Sequence, residues 1–216
     1  VLASGILGLE PHDPSTLQED IDFIIDLEPD LIQFMLLTGL PMTGLYLELK
    51  EANLLRWDLP FEEWHGQKYL NFRHSRLSGE EAEMWLQFAF DADYQRNGSS
   101  MVRLVETALR GAGTMRELAR KDHVFRARYK QLLDELAEYR PLLPVMGRFA
   151  VNERERERVR DLETRIREVL GPRTWRDLGL GMLASVFSGL WSWRLRLVGD
   201  RIQPHTLVTR YPASSA

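Results

Sequence analysis

Cysteine is absent from this 216-residue sequence. The chain itself therefore forms no disulfide bond and supplies no thiolate nucleophile and no cysteine ligand for zinc or an iron–sulfur cluster. A secretory signal is also lacking, because residues after Val1 do not show the required order of basic, apolar and small side chains. We therefore expect a cytoplasmic protein. The sequence has no internal repeat or low-complexity stretch apart from alternating Glu and Arg at 153–158, which we expect to form a solvated helix face.

Negative charge is concentrated at the start of the chain and positive charge at its end. The net charge is −4, yet residues 1–60 contain 11 acidic side chains against two basic ones. Residues 171–216 contain six arginines against two acids. The acidic start disfavours nucleic acid as a partner, whereas the basic end permits contact with an anionic surface. With 44% hydrophobic and 28% charged residues, the composition is that of a globular protein rather than a fibrous or disordered one.

The first part of the sequence has the pattern of a strand, a helix and a second strand. Residues 1–8 form a short apolar run that ends in a turn-rich segment, and residues 30–37 form another. Between them, a capping-box spacing at Ser15 and Thr16 begins an apolar repeat of helical period. This order predicts a parallel crossover unit. Since a parallel pair leaves edges and apolar faces to be covered, we expect neighbouring strands that this sequence does not contain.

The remainder is helical in pattern after an irregular, aromatic-rich connection at 57–72. The predicted helices lie at 44–55, 78–96, 101–110, 114–139, 152–170 and 172–193. The last of them contains no charge from Leu178 to Trp193, and these sixteen residues fall short of the roughly 18 to 20 that span a bilayer. A buried helix is the favoured interpretation. Contact with a membrane surface, aided by Arg194 and Arg196, is the alternative.

Two loops are candidates for a functional site because they follow the carboxyl ends of the predicted parallel strands. They are Gly8–Pro14 and Thr38–Gly44. A glycine at a strand end lets a planar ligand approach the backbone, and Ile6 on the same strand offers an apolar edge to such a ligand. Taken by themselves, these residues are more typical of a tight turn at a strand end.

Several stretches resemble radical SAM proteins. Ser-Gly-Ile-Leu-Gly-Leu-Glu at 4–10 and Glu-Pro-Asp-Leu-Ile-Gln-Phe-Met-Leu-Leu-Thr-Gly-Leu-Pro-Met-Thr-Gly-Leu-Tyr at 28–46 are similar to the last part of the radical SAM barrel. The likeness covers residues 1–110. Its downstream part is similar to the segment that follows the barrel in cobalamin-binding radical SAM proteins, and comprises 72–78, 80–83, 89–94, Asn97-Gly98 and Arg103.

The resemblance implies an α/β segment followed by an all-α domain. Residues 1–58 would be the C-terminal strands and helices of an incomplete parallel, TIM-like radical SAM barrel. Residues 59–78 would form the aromatic-rich connection, and residues 79–216 a helical C-terminal domain.

The resemblance also implies a cofactor site. In the family, three cysteines of a CxxxCxxC loop hold a 4Fe-4S cluster that binds S-adenosylmethionine and cleaves it reductively to a 5′-deoxyadenosyl radical. Those cysteines, and any cobalamin domain, would lie outside this chain. Ser4, Ile6 and Gly8 match a GxIxG-like pattern beside the adenine, where Ile6 would pack on the base. Gln33 and its neighbour Phe34 lie in the strand that borders the cofactor pocket, and strand alternation allows one of the two to face inward.

This chain departs from the family pattern in the second loop and after the first strand. The usual Thr-Pro-Leu-Pro-Gly-Thr-Pro is replaced by Thr38-Gly-Leu-Pro-Met-Thr-Gly44. Met42 replaces a glycine at a position that favours a positive φ, and Gly39 and Gly44 replace prolines. Pro11 stands where the family has a glutamate.

Other polar residues give weaker indications. His12 lies on the presumed active face and is a candidate for substrate binding or proton transfer. Arg73 and Arg76 could neutralise an anionic ligand, although ion pairs with Glu80 and Glu81 are the more common arrangement. The remaining histidines have no metal-ligand spacing; they are His65, His74, His123 and His205.

Two functional hypotheses follow. In the first, the chain is the C-terminal part of a radical SAM enzyme acting on a small-molecule or lipid-like substrate, with the missing N-terminal part of the same protein as its partner. By itself the chain would be inactive. In the second, it is a helical protein-interaction or membrane-surface module without catalysis, contacting the membrane through 178–196. Neither hypothesis involves nucleic acid.

Overall fold

A computed structural model describes residues 1–199, and 65% of these residues are helical. The two strands are β1 (Leu2–Leu7) and β2 (Leu31–Leu36). Short 3-10 turns occur at Phe61–Glu63 and Arg140–Leu142. The helices are α1 (Pro14–Asp26), α2 (Gly44–Glu51), α3 (Gly79–Asn97), α4 (Ser100–Leu118), α5 (His123–Tyr139), α6 (Leu143–Arg148), α7 (Glu153–Leu170) and α8 (Trp175–Val198).

The predicted strand, helix and strand are confirmed. β1 and β2 pair in parallel, with Leu2 opposite Leu31 and Leu7 opposite Leu36. The helix between them begins two residues earlier than a cap at Ser15 would place it. Asp13 is the N-cap, its side chain accepts hydrogen bonds from the backbone of Ser15 and Thr16, and proline occupies the first helical position.

The prediction of an incomplete TIM-like barrel segment is wrong. Within residues 1–199 the sheet has two strands, and no barrel segment is present. The chain after β2 forms helices instead of further strands, so the described part contains nothing that could curve and close a sheet. The expectation of a helical remainder is consistent with α3 to α8, which run from 79 to 198. Residues 200–216 lie outside the described part.

Two hydrophobic clusters form the interior. The first joins one face of the sheet to α1, α3 and the connection after α2, and contains Leu7, Leu17, Ile21, Ile25, Phe34, Leu36, Leu70 and Leu86 among others. The second joins α4, α5, α6 and α7, and contains Val102, Val105, Leu132, Leu136, Leu143, Leu162 and Ile166 among others. The helical half therefore has a core of its own.

A buried polar junction connects the two clusters at the corner between α3 and α4. Arg103 donates two hydrogen bonds of 2.8 Å to the two carboxylate oxygens of Asp93, and both side chains are buried. The Asn97 amide donates to Asp93 and to the Ile25 carbonyl at the end of α1, each at 2.9 Å. These residues belong to the downstream string that resembles radical SAM proteins, and here they dock α3 and α4 onto α1.

The boundary between α4 and α5 differs from the predicted one. The spacing from Thr114 to Glu117 imitates a capping box, but Thr114 lies inside α4, where its hydroxyl donates to the Arg110 carbonyl. The break comes later, and Asp122 caps α5. Gly111 also lies inside α4, where it faces Leu132 of α5.

The alternating Glu and Arg stretch at the start of α7 is not wholly solvated, contrary to expectation. Glu155 is buried and accepts hydrogen bonds from the backbone of Ser99 at 2.6 Å and Val151 at 2.8 Å. Arg158 reaches Glu106 and the Asn97 carbonyl. The run therefore fixes α7 against the α3–α4 corner.

Helix α8 packs against α6 and against the 3-10 turn at Arg140–Leu142. Asp177 pairs with Arg140, and both side chains are buried. Burial favours the neutral form of Asp177, but hydrogen bonds from Thr174 and the charge of Arg140 outweigh it and lower the pKa of this carboxyl. The favoured prediction of a buried helix is wrong within the described residues, because the large apolar side chains of α8 are mostly exposed. Among residues 1–199, no helix has the combined length and hydropathy to cross a bilayer.

Candidate functional site

One face of the sheet is open, and it carries three of the four residues predicted to line a cofactor pocket. Exposure alternates along β1, where Ser4 and Ile6 are exposed while Gly5 and Leu7 are buried. The parallel register places Ser4 opposite Gln33 and Ile6 opposite Met35. The open face therefore consists of Leu2, Ser4, Ile6, Leu31, Gln33 and Met35.

Close packing on the other face fixes this orientation. A Cβ added to Gly5 would lie 2.7 Å from Ile24 on α1 and 2.9 Å from the ring of Phe34. Phe34 in turn meets Phe90 of α3 edge to face, with ring centroids 5.6 Å apart. Phe34 is therefore held on the helical side, and its neighbour Gln33 lies on the open side.

An uncovered face is unusual for a parallel sheet. Parallel strands are ordinarily covered on both sides, and their apolar side chains are correspondingly buried. Here Ile6 is 52% exposed and Leu2 is 63% exposed. None of the six side chains of the open face is charged. The face thus offers an apolar surface with one hydroxyl and one amide, which suits a planar, partly polar ligand or a covering layer of protein.

The loop after β1 is held by a buried histidine. Gly8 has a φ of 80°, and the His12 Nδ1 accepts hydrogen bonds of 3.1 Å from the backbone of both Gly8 and Leu9. The Nε2 of this ring lies 3.0 Å from an Asp20 carboxylate oxygen and therefore carries the proton in this arrangement. Both ring nitrogens of His12 are engaged, so its predicted substrate or proton-transfer role is replaced by a structural one.

A second histidine holds the same loop from the opposite side. His74 donates from Nε2 to the Leu9 carbonyl at 2.9 Å, while its Nδ1 accepts from the backbone of Arg76 and Leu77. Arg76 donates to the Pro11 carbonyl at 3.1 Å. Both backbone groups of Leu9 are thus bound by imidazoles, which fixes the backbone beside Gly8.

The expected ion pairs of this region are not the ones observed. Arg76 lies 3.8 Å from Asp13 rather than against Glu80 or Glu81, and Glu81 completes a capping box with Ser78 at the start of α3. Hydrogen bonds from the Ser15 hydroxyl and the Thr16 backbone lower the pKa of Asp13 below its usual value.

The loop after β2 is held by Asn71, which sequence reasoning missed. Its buried side chain accepts from the Gly39 N–H and donates to the Gly39 carbonyl, each at 3.0 Å. Gly66, with a φ of 70°, approaches the end of β2, and its carbonyl accepts from the Leu36 N–H at 2.7 Å. The one available signal was position, since Asn71 immediately precedes the string at 72–78 that carries the resemblance.

Met42 has a φ of 72° and an exposed side chain, which confirms the expected backbone conformation at this departure from the family pattern. We predict that Met42→Gly stabilises the protein by about 0.5 to 1 kcal/mol, because glycine removes the left-handed strain and no packing is lost. Urea unfolding measures the change. Leu40→Gly in the same loop is the control, since Leu40 has no positive φ, and it should destabilise. Equal effects of the two substitutions would contradict the assignment.

The described residues contain no group of three or more potential metal ligands among their histidines and carboxylates. His65 and His123 each lie beside a neighbouring carboxylate at the surface, and His205 lies outside residues 1–199.

The site therefore consists of Ser4, Ile6 and Gln33 on the open face and Gly8 at the end of β1. The backbone of its two loops is held by His12, His74 and Asn71. No family model, no curated protein and no solved structure matches this chain.

Proposed function

We propose that the chain is the C-terminal part of a radical SAM enzyme and supplies one wall of the adenosyl pocket. The observation that carries the proposal is the open sheet face, on which Ser4, Ile6 and Gln33 lie together beside the left-handed Gly8. These four residues are the ones that the resemblance implies as cofactor contacts. Three of them share the uncovered face, as a ligand wall requires.

The chemistry of the wall suits a nucleoside. Ile6 offers an apolar edge against which a planar base packs. Gly8 ends β1 in a left-handed conformation, and a Cβ there would lie 3.2 Å from Leu70 of the first hydrophobic cluster. The Ser4 hydroxyl and the Gln33 amide supply donors and acceptors for the polar edges of a base or ribose. With the 4Fe-4S cluster held by residues outside this chain, S-adenosylmethionine bound here would be the source of a 5′-deoxyadenosyl radical once the cluster delivers one electron.

The role of this chain is positioning. His12 and His74 fix the backbone of the loop after β1, so the end of the strand that carries Ile6 keeps a constant position. Asn71 does the same for the loop after β2. The covering layer would come from the missing N-terminal part of the same protein, together with the cluster ligands and a cobalamin domain, and would exclude water from the pocket.

The test compares this 216-residue chain with the product of the complete reading frame that encodes it. The longer product should contain a CxxxCxxC segment, show the visible absorbance of an iron–sulfur cluster after anaerobic reconstitution, and release 5′-deoxyadenosine from S-adenosylmethionine under reducing conditions. The 216-residue chain should show neither the cluster absorbance nor the release of 5′-deoxyadenosine. Formation of 5′-deoxyadenosine by the short chain, or a reading frame without the cysteine segment, would refute the proposal.

The alternative, a helical interaction module without catalysis, is favoured by the exposed apolar side chains of α8. It leaves the open sheet face unexplained. A reading frame without the cysteine segment, with no 5′-deoxyadenosine formed, would favour this alternative.

A further inference from the structure

Helix α8 has its large apolar side chains turned away from the protein. Apart from Leu195, the less exposed residues of α8 after its first turn are small, and they include Gly181, Ala184, Ser185, Ser188 and Ser192. The opposite face is at least half exposed at each of its large side chains, namely Met182, Leu183, Val186, Phe187, Leu190 and Trp193. A helix buried in its own protein would show the reverse arrangement.

The first turns of α8 fix this orientation. Asp177 pairs with the buried Arg140, and a Cβ on Gly181 would lie 2.9 Å from the Pro141 carbonyl. The helix therefore cannot rotate its apolar face inward without losing the buried ion pair. The hydroxyls of Ser185 and Ser188 donate hydrogen bonds to carbonyls one helical turn earlier. These donors are therefore satisfied without water.

A basic groove lies beside the far end of this apolar face. It has a volume of about 300 Å³ and is lined by Arg148, Phe149, Gly189, Ser192, Trp193 and Arg196. No carboxylate lines it, and within residues 1–199 neither Arg148 nor Arg196 forms a salt bridge. Nearby, the Arg194 guanidinium lies 5.4 Å from the centre of the Trp191 ring. Cationic and aromatic groups at the end of an apolar face are typical of a helix at a membrane interface.

We propose that α8 lies in the plane of an anionic phospholipid membrane, with its apolar face in the acyl region and a lipid phosphate in the Arg148–Arg196 groove. The absence of charge from Leu178 to Trp193 suits acyl chains, and two arginines that form no salt bridge within residues 1–199 suit an anionic headgroup. This surface is separate from the open sheet face, so the inference does not depend on the proposed catalytic role.

Co-sedimentation with vesicles tests the proposal on the full 216-residue chain. At about 0.1 M salt, vesicles with about 30% phosphatidylglycerol in phosphatidylcholine should bind the protein at least tenfold more tightly than pure phosphatidylcholine. Phe187→Glu should abolish binding. Phe23→Glu is the matched control, because Phe23 and Phe187 are both 67% exposed and Phe23 lies on α1; it should bind as the wild type does.

The groove is tested by the double variant Arg148→Glu/Arg196→Glu. Since each arginine near an anionic surface strengthens binding about fivefold, the variant should bind at least about 30-fold more weakly. The control Arg120→Glu/Arg167→Glu reverses two exposed arginines elsewhere and should have a much smaller effect. Circular dichroism should show unchanged helix content in all four variants.

Two results would overturn the proposal. One is binding to phosphatidylcholine as tight as binding to the anionic vesicles, with no loss in the groove variant. The other is a wild-type protein that binds neither type of vesicle and is a dimer in analytical ultracentrifugation. If Phe187→Glu dissociates that dimer, the apolar face of α8 contacts a second copy of the chain.

Discussion

Replacing Asp93 by alanine should lower the free energy of unfolding by about 3 to 5 kcal/mol, as measured by urea denaturation. The substitution leaves the Arg103 guanidinium buried without its carboxylate, and an uncompensated buried charge is among the most destabilising changes in a protein. It also removes an acceptor from Asn97, which links α3 to the end of α1. The loss should therefore loosen the contact between the two hydrophobic clusters.

Two controls separate this effect from the loss of any ion pair. Glu117→Ala removes the exposed pair between Glu117 and Arg120, in which both side chains are 67% exposed, and should change stability by no more than about 0.5 kcal/mol. The double variant Asp93→Leu/Arg103→Met should regain most of the loss, because it leaves no buried charge. A single substitution of Asp93 that costs as little as that of Glu117 would contradict the described junction.

Gly66→Ala should cost about 2 to 4 kcal/mol and displace the segment that runs along the end of β2. The new Cβ would lie 2.4 Å from the Leu36 carbonyl oxygen and 2.7 Å from the Thr38 hydroxyl, at a φ of 70° that alanine disfavours. Relief of this overlap breaks the hydrogen bond between the Leu36 N–H and the Gly66 carbonyl. Thermal or urea unfolding gives the magnitude.

Gly113→Ala is the matched control for this substitution. Gly113 lies within α4, and nothing stands within 4 Å of its added Cβ. Alanine there should stabilise the protein by about 0.5 to 1 kcal/mol, since glycine is the poorer helix former. If Gly66→Ala also stabilised the protein or left its stability unchanged, the close approach at Gly66 would be incorrect.

Sequence patterns predicted the helices and strands whose length, caps and periodicity are encoded in adjacent residues. The apolar runs at 1–8 and 30–37 and the helix between them appear as β1, α1 and β2, because strand length, caps and helical period are encoded in adjacent residues. The same reasoning misplaced the α4–α5 boundary. Thr114 imitates a cap, but α4 continues to Leu118 and the cap of the next helix is Asp122.

The candidate site was predictable in its residues but not in its geometry. The sequence could not decide whether Gln33 or Phe34 faces the open side. That decision depends on Phe90, which follows in α3 and holds Phe34 from the other face. The structural roles of His12 and His74 depend on hydrogen bonds to the backbone of Gly8 and Leu9, which side-chain patterns do not reveal.

The sequence pattern could not show whether a TIM-like barrel is present. It was implied by the resemblance of 4–10 and 28–46, and a strand, a helix and a strand are common to many folds. The exposure of α8 was missed for a related reason. An uncharged run from Leu178 to Trp193 indicates burial but does not identify what buries it.

Equilibrium binding of S-adenosylmethionine to the product of the complete reading frame tests most directly whether the open sheet face is a nucleoside wall. The wild-type protein should bind, and Ile6→Glu should weaken binding at least about tenfold, because it places a charge where an apolar edge meets the base. Phe23→Glu, on an exposed face of α1, should bind as the wild type does. A wild-type protein that does not bind, or an Ile6→Glu variant that binds equally well, would contradict the account.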